Sequence, residues 1–167
     1  MPLIVQLSDF TGDNSIATDV FTQNELQLAI DANEKTLIYE LLGIELAAAF
    51  ITNLSNYAPV DPIYLEFFNP FIKEINTVFT ESKGMKQMLD TIIFFEYVRK
   101  QSQTNTIQGN TQVDGNLNMP SAMNWTTLTI KYNDAIKTFR AIQDYIKSNK
   151  TTYPTFKGIY KEYMSWA

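Results

Sequence analysis

Apolar residues recur at steps of three and four positions along much of this chain, which is the spacing of one face of an α-helix. The first stripe is carried by Leu26, Ala29, Ile30, Leu37 and Leu41. The residues TQNE at 22–25 form a capping box, which predicts that this helix begins at Thr22. Gly43 fits the left-handed position that ends a helix. The segment IELAAAFITNL after it predicts a second helix and a sharp corner between the two.

Further helices are predicted in the middle and last third of the chain. The stretch IYLEFFNPFIKEINTVFTES contains Pro70, so we expect short helical pieces on either side of that residue. Residues 84–101 are apolar nearly all round, which predicts either the central helix of the domain or a helix with one side on a partner. The last helix is amphipathic, and its apolar face is formed by Trp125, Leu128, Tyr132, Ala135, Ile136, Phe139, Ile142 and Ile146.

Between the last two helices lies an insert, TNTIQGNTQVDGNLNMP, whose only charge is Asp114. Apolar and polar residues alternate, and Asp-Gly is a strong hairpin signal, so the insert is predicted to be a β-hairpin. A two-residue turn would place its apolar residues on opposite faces. A three-residue loop, Asp114–Asn116, sets Val113 opposite Leu117 and Thr111 opposite Met119. We prefer this second register because it gives one apolar face, formed by Ile107, Val113, Leu117 and Met119.

A lone two-stranded hairpin is marginally stable in water, so the insert needs something to pack against. It either folds back on its own helices or contacts another chain, and its apolar face is our first candidate interface.

The ends of the chain are predicted to be arms, because residues 1–21 lack helical periodicity and residues 151–167 follow the last helix. The C-terminal arm supplies the second candidate interface. Aromatic residues repeat at helical spacing in the C-terminal arm, and the candidate interface residues there are Tyr160, Tyr163 and Trp166.

The predicted fold is therefore mainly α. We expect a four- to five-helix bundle over residues 22–150, with an inserted β-hairpin at 104–120 and extended arms at 1–21 and 151–167. The N-terminus has no basic region before its short apolar run, which argues against a secretory signal. No run of eighteen apolar residues occurs, so we expect no membrane contact.

The composition removes most enzyme chemistry. The chain has no Cys and no His, which excludes disulfides, thiol catalysis and imidazole acid–base catalysis. Two carboxylate pairs, Asp31/Glu34 and Glu40/Glu45, have helical spacing and are interpreted as a solvated acidic face. No nucleotide-binding, nucleophile-elbow or calcium-loop motif is present. We therefore predict a protein that is not an enzyme and has no metal or cofactor.

Charge is divided unevenly along the chain. Residues 1–74 hold eleven acids and two bases, giving −9, while residues 75–167 hold seven acids and eleven bases, giving +4. Two solvated faces that happen to differ would explain this division. So would a head-to-tail contact between copies, with the acidic part of one against the basic part of the next. Aromatic residues make up 13% of the chain, which favours large buried contacts within it or between chains.

Three stretches in order carry a resemblance: ANEKTLIYELLGIELAAAFITNL, GMKQMLDTIIFFEYVRKQSQTNTIQGN and YNDAIKTFRAIQDYIKSNKTTYPTFKG. This layout, over about residues 22–158, resembles the head–tail connector (adaptor or head-completion) proteins of tailed phages, and most of all those of crAss-like phages of Bacteroidetes. The resemblance implies a small helical bundle that forms a ring, usually twelvefold, under the portal and extends the DNA channel. No catalytic residue is carried over, since the family has none.

The resemblance also implies partners and a location. The partners are copies of this chain, the portal protein, tail or neck proteins, and double-stranded DNA that passes through the lumen without specific binding. The location is the virion neck, after assembly in the host cytoplasm. Two alternatives are a tail-completion or stopper protein of the same neck and a cellular all-α interaction module. An enzyme that uses carboxylates alone would require an acidic pocket.

Overall fold

A computed structural model of the chain describes residues 3–11, 14, 20–106, 109–112 and 125–164. The helices in these ranges are α1 (Val20–Leu42), α2 (Ile44–Thr52), α3 (Pro62–Phe68), α4 (Met85–Ser102) and α5 (Trp125–Ser148). The strands in the same ranges form two-stranded antiparallel sheets: β1 (Leu54–Ser55) with β2 (Ala58–Pro59), β3 (Phe71–Ile75) with β4 (Val78–Ser82), and β5 (Gln103–Thr106) with β6 (Gly109–Gln112). The prediction of a mainly α chain is confirmed.

The corner between α1 and α2 lies where the sequence places it. Gly43 separates the two helices with a φ of 81°, a backbone conformation that favours glycine. The start of α1 differs from the prediction, because the helix is already present at Val20. Thr22 therefore lies inside the first turn, and the prediction that it caps the helix is wrong.

The α4 helix is the centre of the domain, and it packs against α1, α3 and α5. Its buried side chains point in almost every direction around the helix axis: Met85, Met88, Leu89, Ile92, Ile93, Phe94, Phe95, Tyr97 and Val98. The amphipathic helix α5 lies beside it and buries the predicted face from Leu128 to Ile146. The predictions that both segments form helices are confirmed, and α4 is the central helix of the domain.

After α3 the chain forms a β-hairpin, so the prediction of a second helical piece beyond Pro70 is wrong. The β3–β4 ladder runs from the pair Phe71–Ser82 to the pair Ile75–Val78. Its turn is Asn76-Thr77, with φ values of 50° and 65°, the left-handed conformation of the favoured two-residue hairpin turns. The burial of Phe71 and Ile75 alternates along β3 with exposed residues. This period of two predicts a strand, and the helical assignment overlooked it.

The first described residues belong to the core rather than to an arm. Ile4 and Val5 are fully buried. Their backbone N–H groups each donate to Oε1 of Glu34 at 2.7 Å, and the N–H of Leu3 donates to Oε2 at 2.7 Å. The prediction of a solvated acidic face holds for Asp31, which is exposed, and is wrong for Glu34. A buried carboxylate needs hydrogen-bond donors, and the N-terminal amides supply them.

Inside the predicted insert, the structure contains the strand pair β5–β6. Thr104 lies opposite Thr111, and Thr106 lies opposite Gly109. The sequence analysis paired Thr111 with Met119 across a loop at Asp114–Asn116. It did not predict that β6, which contains Thr111, pairs with β5. The alternation of Thr and Asn extends back to the end of α4, and threonine favours strands. Residues 107–108 and 113–120 lie outside the described residues.

We expect Glu34→Gln to lower the free energy of unfolding by about 2–4 kcal/mol. The replacement amide retains one acceptor oxygen but places an NH₂ group against backbone N–H donors that Glu34 now binds. Urea denaturation of both proteins measures the difference. Asp31→Asn, on the exposed side of the same helix, is the matched control and should change stability by less than about 0.5 kcal/mol. Equal effects of the two substitutions would contradict the role given to Glu34.

Candidate interaction surface

The C-terminal strap, residues 153–164, begins with a turn at residues 154–155 and then runs past the end of α1 and across α5 without helix or strand. The N–H of Lys157 donates to the carbonyl of Leu42 at 3.3 Å, and the N–H of Ile159 donates to that of Glu40 at 2.6 Å. The side-chain amide of Gln143 on α5 donates to the carbonyls of Leu41 and Ile159. The helical spacing seen in the sequence does not produce a helix here. The predicted C-terminal arm is, as far as residue 164, bound to its own domain.

Close backbone approach fixes the strap at the α1–α2 corner. A Cβ atom added to Gly43 would lie 2.7 Å from the carbonyl carbon of Lys157, which is closer than any ordinary contact. Glycine at this position therefore meets two needs, a positive φ and room for the strap. The corner and the strap depend on the same residue.

Arg140 on α5 holds the end of the strap. Its Nε and Nη2 atoms both donate to the carbonyl of Lys161, at 2.9 and 2.7 Å. Its guanidinium also lies 4.3 Å from the ring centre of Tyr160 and 3.8 Å from that of Tyr163, which is cation–π geometry. The two tyrosines remain 56% and 44% exposed. The structure therefore brings these two predicted interface residues together on one surface.

The β3–β4 hairpin presents apolar side chains to solvent. Phe79 is 82% exposed, Ile72 is 70% exposed and Val78 is 63% exposed. The ladder places Ile72 opposite Glu81 and Phe79 opposite Glu74, so these four residues share the outer face of the hairpin. Ile72 and Phe79 are diagonal neighbours on that face, and exposed apolar groups of this kind mark interaction sites.

A groove of about 580 Å³ separates this hairpin from the strap. Phe79 lies on one side and the two tyrosines on the other, with α5 between them. The groove is lined by Phe79, Thr80, Glu81, Lys83, Asp134, Lys137, Thr138, Arg140, Ala141, Asp144, Tyr160 and Tyr163. Three acids and three bases in this set give the groove no net charge.

Part of the charge division along the chain is matched within a single subunit. Lys161 of the strap lies 2.7 Å from Glu40, and Lys157 lies 3.7 Å from Glu45. Lys86 of α4 lies 2.9 Å from Asp9 in the N-terminal segment. Each pair joins a base of the second part of the chain to an acid of the first. Charge complementarity between copies is therefore smaller than the totals of −9 and +4 suggest.

A second cavity, of about 520 Å³, lies between the N-terminal segment, α4 and α5. It contains the carboxylates of Asp9, Asp90 and Asp134 together with Lys83 and Lys131. Asp90 is 9% exposed, its Oδ2 accepts a hydrogen bond from Asn14 at 3.5 Å, and its Oδ1 has no hydrogen-bond partner. Burial raises the pKa of Asp90 to about 6.

The other predicted interface residues are not placed. Ile107, Val113, Leu117, Met119 and Trp166 lie outside the described residues. The sequence analysis also missed the exposed apolar residues Ile72, Val78 and Phe79. The period-two pattern of FIKEI and VFTES around Asn76-Thr77 would have indicated Ile72 and Phe79, since it predicts a hairpin with one outward face that these two residues share.

No protein-family model, curated protein or solved structure matches this chain. None of the helices in the described ranges is both long and apolar enough to cross a membrane. Among the same residues, no cluster of three or more acidic side chains is arranged to hold a metal ion.

Asp90→Asn should stabilise the protein at neutral pH. The pKa of Asp90 is about 6 in the folded protein against an ordinary 3.8, so between these values the folded chain holds a proton that the unfolded chain has released. Stability from this group is present below about pH 4 and is lost as the pH rises through about 6. The variant should gain about 1–3 kcal/mol over the native protein at pH 7.5, and less at pH 4.

Urea denaturation at the two pH values measures this difference. Asp144→Asn is a suitable control, because its carboxylate is about half exposed. An advantage of Asp90→Asn that is the same at pH 4 and pH 7.5 would contradict the assignment of a raised pKa.

Gly43→Ala should destabilise the chain by about 2 kcal/mol or more, because the new methyl group combines a strained φ with a clash against Lys157. We also expect faster proteolysis within residues 153–164 at native conditions, since the strap must move away. Ile44→Ala is the neighbouring control, at a side chain that is 76% exposed. Unchanged cleavage of the strap in Gly43→Ala would show that this contact does not hold it.

Proposed function

We propose that this chain is a structural adaptor, not an enzyme, that forms a ring between a phage portal and the tail and extends the DNA channel. The order of its sequence stretches supports the proposal, through their resemblance to head–tail connector proteins. In this proposal the chain is a four- to five-helix bundle whose insert at residues 104–120 and C-terminal end beyond the strap reach neighbouring subunits. The unplaced residues Ile107, Val113, Leu117, Met119 and Trp166 belong to those contacts.

The observation that carries the proposal is the exposed apolar surface of the β3–β4 hairpin and strap. The core is well formed around α4, yet Phe79, Ile72 and Val78 are left largely in water. These three side chains are not part of that core, although Phe71 of the same hairpin is. Burial of such side chains against a neighbour contributes roughly 1.5–3 kcal/mol for each large one. A surface of this composition suits a permanent structural contact.

The partners in this proposal are further copies, twelve in the usual ring, together with the portal and the next tail or neck protein. Double-stranded DNA would pass through the lumen without specific binding, since a net charge of −5 repels phosphate. The protein would assemble in the host cytoplasm and reside in the virion neck.

Mass photometry of the purified chain, alone and with the portal protein of the same phage, tests this function. We expect a complex that contains the portal ring and many copies of this chain. Free monomer without the portal is compatible with the proposal, because such rings can assemble on their neighbour. A chain that stays monomeric and never joins the portal would overturn it.

The gene neighbourhood separates the adaptor from the cellular interaction module. Portal and major capsid genes beside this one favour the adaptor, whereas their absence favours the module. A tail-completion or stopper protein of the same neck would share those neighbours, so the complex with the portal is what separates it from the adaptor.

A further inference from the structure

The outer edge of β4 is open. Within the described residues β4 pairs with β3 alone. The two residues that flank a two-residue hairpin turn bond to each other, and bonded pairs then alternate along the ladder. With Ile75 opposite Val78 next to the turn, Phe79 and Glu81 direct their backbone N–H and C=O groups to the open edge. Those two residues also line the groove. The groove therefore offers backbone hydrogen bonds to an added strand.

The groove also limits which strand suits it. Its aromatic walls, Phe79 on one side and Tyr160 and Tyr163 on the other, favour apolar side chains at alternate positions. Its three acids and three bases give no net charge. A strongly acidic or basic segment therefore gains little there, whereas a polar segment with few charges and alternate apolar residues fits.

The chain itself carries such a segment. Residues 110–120, NTQVDGNLNMP, have one charge, Asp114, and place Val113, Leu117 and Met119 at positions of the same parity. Residues of the same parity point to one side of a strand. The sequence of this segment, nearly uncharged and with apolar residues of one parity, therefore matches the lining of the groove.

The two features lie at opposite ends of α4. The strand β4 ends at Ser82, three residues before α4 begins at Met85, whereas the insert follows directly after Ser102 at its other end. A helix of 18 residues is about 27 Å long. Pairing between two copies does not require the insert to span this length, and it is the contact that the proposed ring needs. Such a contact joins different surfaces of the two copies and repeats around a ring.

From these observations we infer that the groove beside β4 receives residues 110–120 of a second copy, added as a strand to the β4 edge. This inference rests on the proposed function, since it supplies the contact between neighbours in the ring. Phe79 and the two strap tyrosines pack on the apolar side chains of the added strand. Each copy is then both donor and acceptor.

A fluorescein-labelled synthetic peptide of residues 110–120, titrated with the full-length chain and followed by fluorescence anisotropy, tests the inference. We expect saturable binding that weakens at least about tenfold in Phe79→Ser. Phe79 is 82% exposed, so the variant should retain its fold. Leu28→Ser, at a side chain on α1 that is 69% exposed, should bind as the native chain does.

Two further peptides, N-methylated at Leu117 or at Asn118, test the backbone hydrogen bonds. Only one of two successive N–H groups faces the β4 edge, so one methylated peptide should lose binding and the other retain it. The absence of peptide binding, equal binding to Phe79→Ser, or equal effects of the two methyl groups would each overturn the inference. If the chain joins the portal in a ring but binds no peptide, the proposed function stands and this contact alone is overturned. Peptide binding by a chain that never assembles would instead overturn the ring.

Discussion

The burial of α4 determines where the other elements of this domain lie. Its apolar side chains point in almost every direction around the helix, so no single neighbour is able to cover them. The helices α1, α3 and α5 pack on three of its sides, and residues of the N-terminal segment join the same core. Polar groups on this helix are correspondingly costly, as the raised pKa of Asp90 illustrates. Covering one helix thus explains most of the architecture.

Both ends of the described chain are held by polar contacts that complete this packing. Glu34 accepts the backbone N–H groups of residues 3–5, and Arg140 donates to the carbonyl of Lys161. In each case a charged side chain satisfies backbone groups that no helix or sheet pairs. The segments that the sequence suggests as free arms therefore stabilise the domain. Part of the acidic and basic complementarity is also satisfied within one subunit, through pairs such as Lys161–Glu40.

What remains for other molecules is a surface formed by the hairpin and the strap. Phe79 stays in water because the core is complete without it, and Tyr160 and Tyr163 stay half exposed because Arg140 covers only one side of each ring. The open edge of β4 adds backbone groups to these side chains. Apolar contacts and strand pairing, more than charge, are the forces that this surface provides for the proposed assembly.

Local patterns in the sequence determined the helices that have strong periodicity. The apolar stripe of α5, the all-round burial of α4 and the corner at Gly43 follow from side-chain spacing and backbone freedom, which act over a few residues. Tertiary structure decided the rest. Whether Glu34 is solvated or accepts backbone N–H groups depends on residues 29 to 31 positions away. The spacing of side chains within α1 does not reveal those residues. The sequence indicates Tyr160 and Tyr163 as candidates, but their place across the groove from Phe79 arises only when the strap crosses α5, because the groove is lined by segments about eighty residues apart.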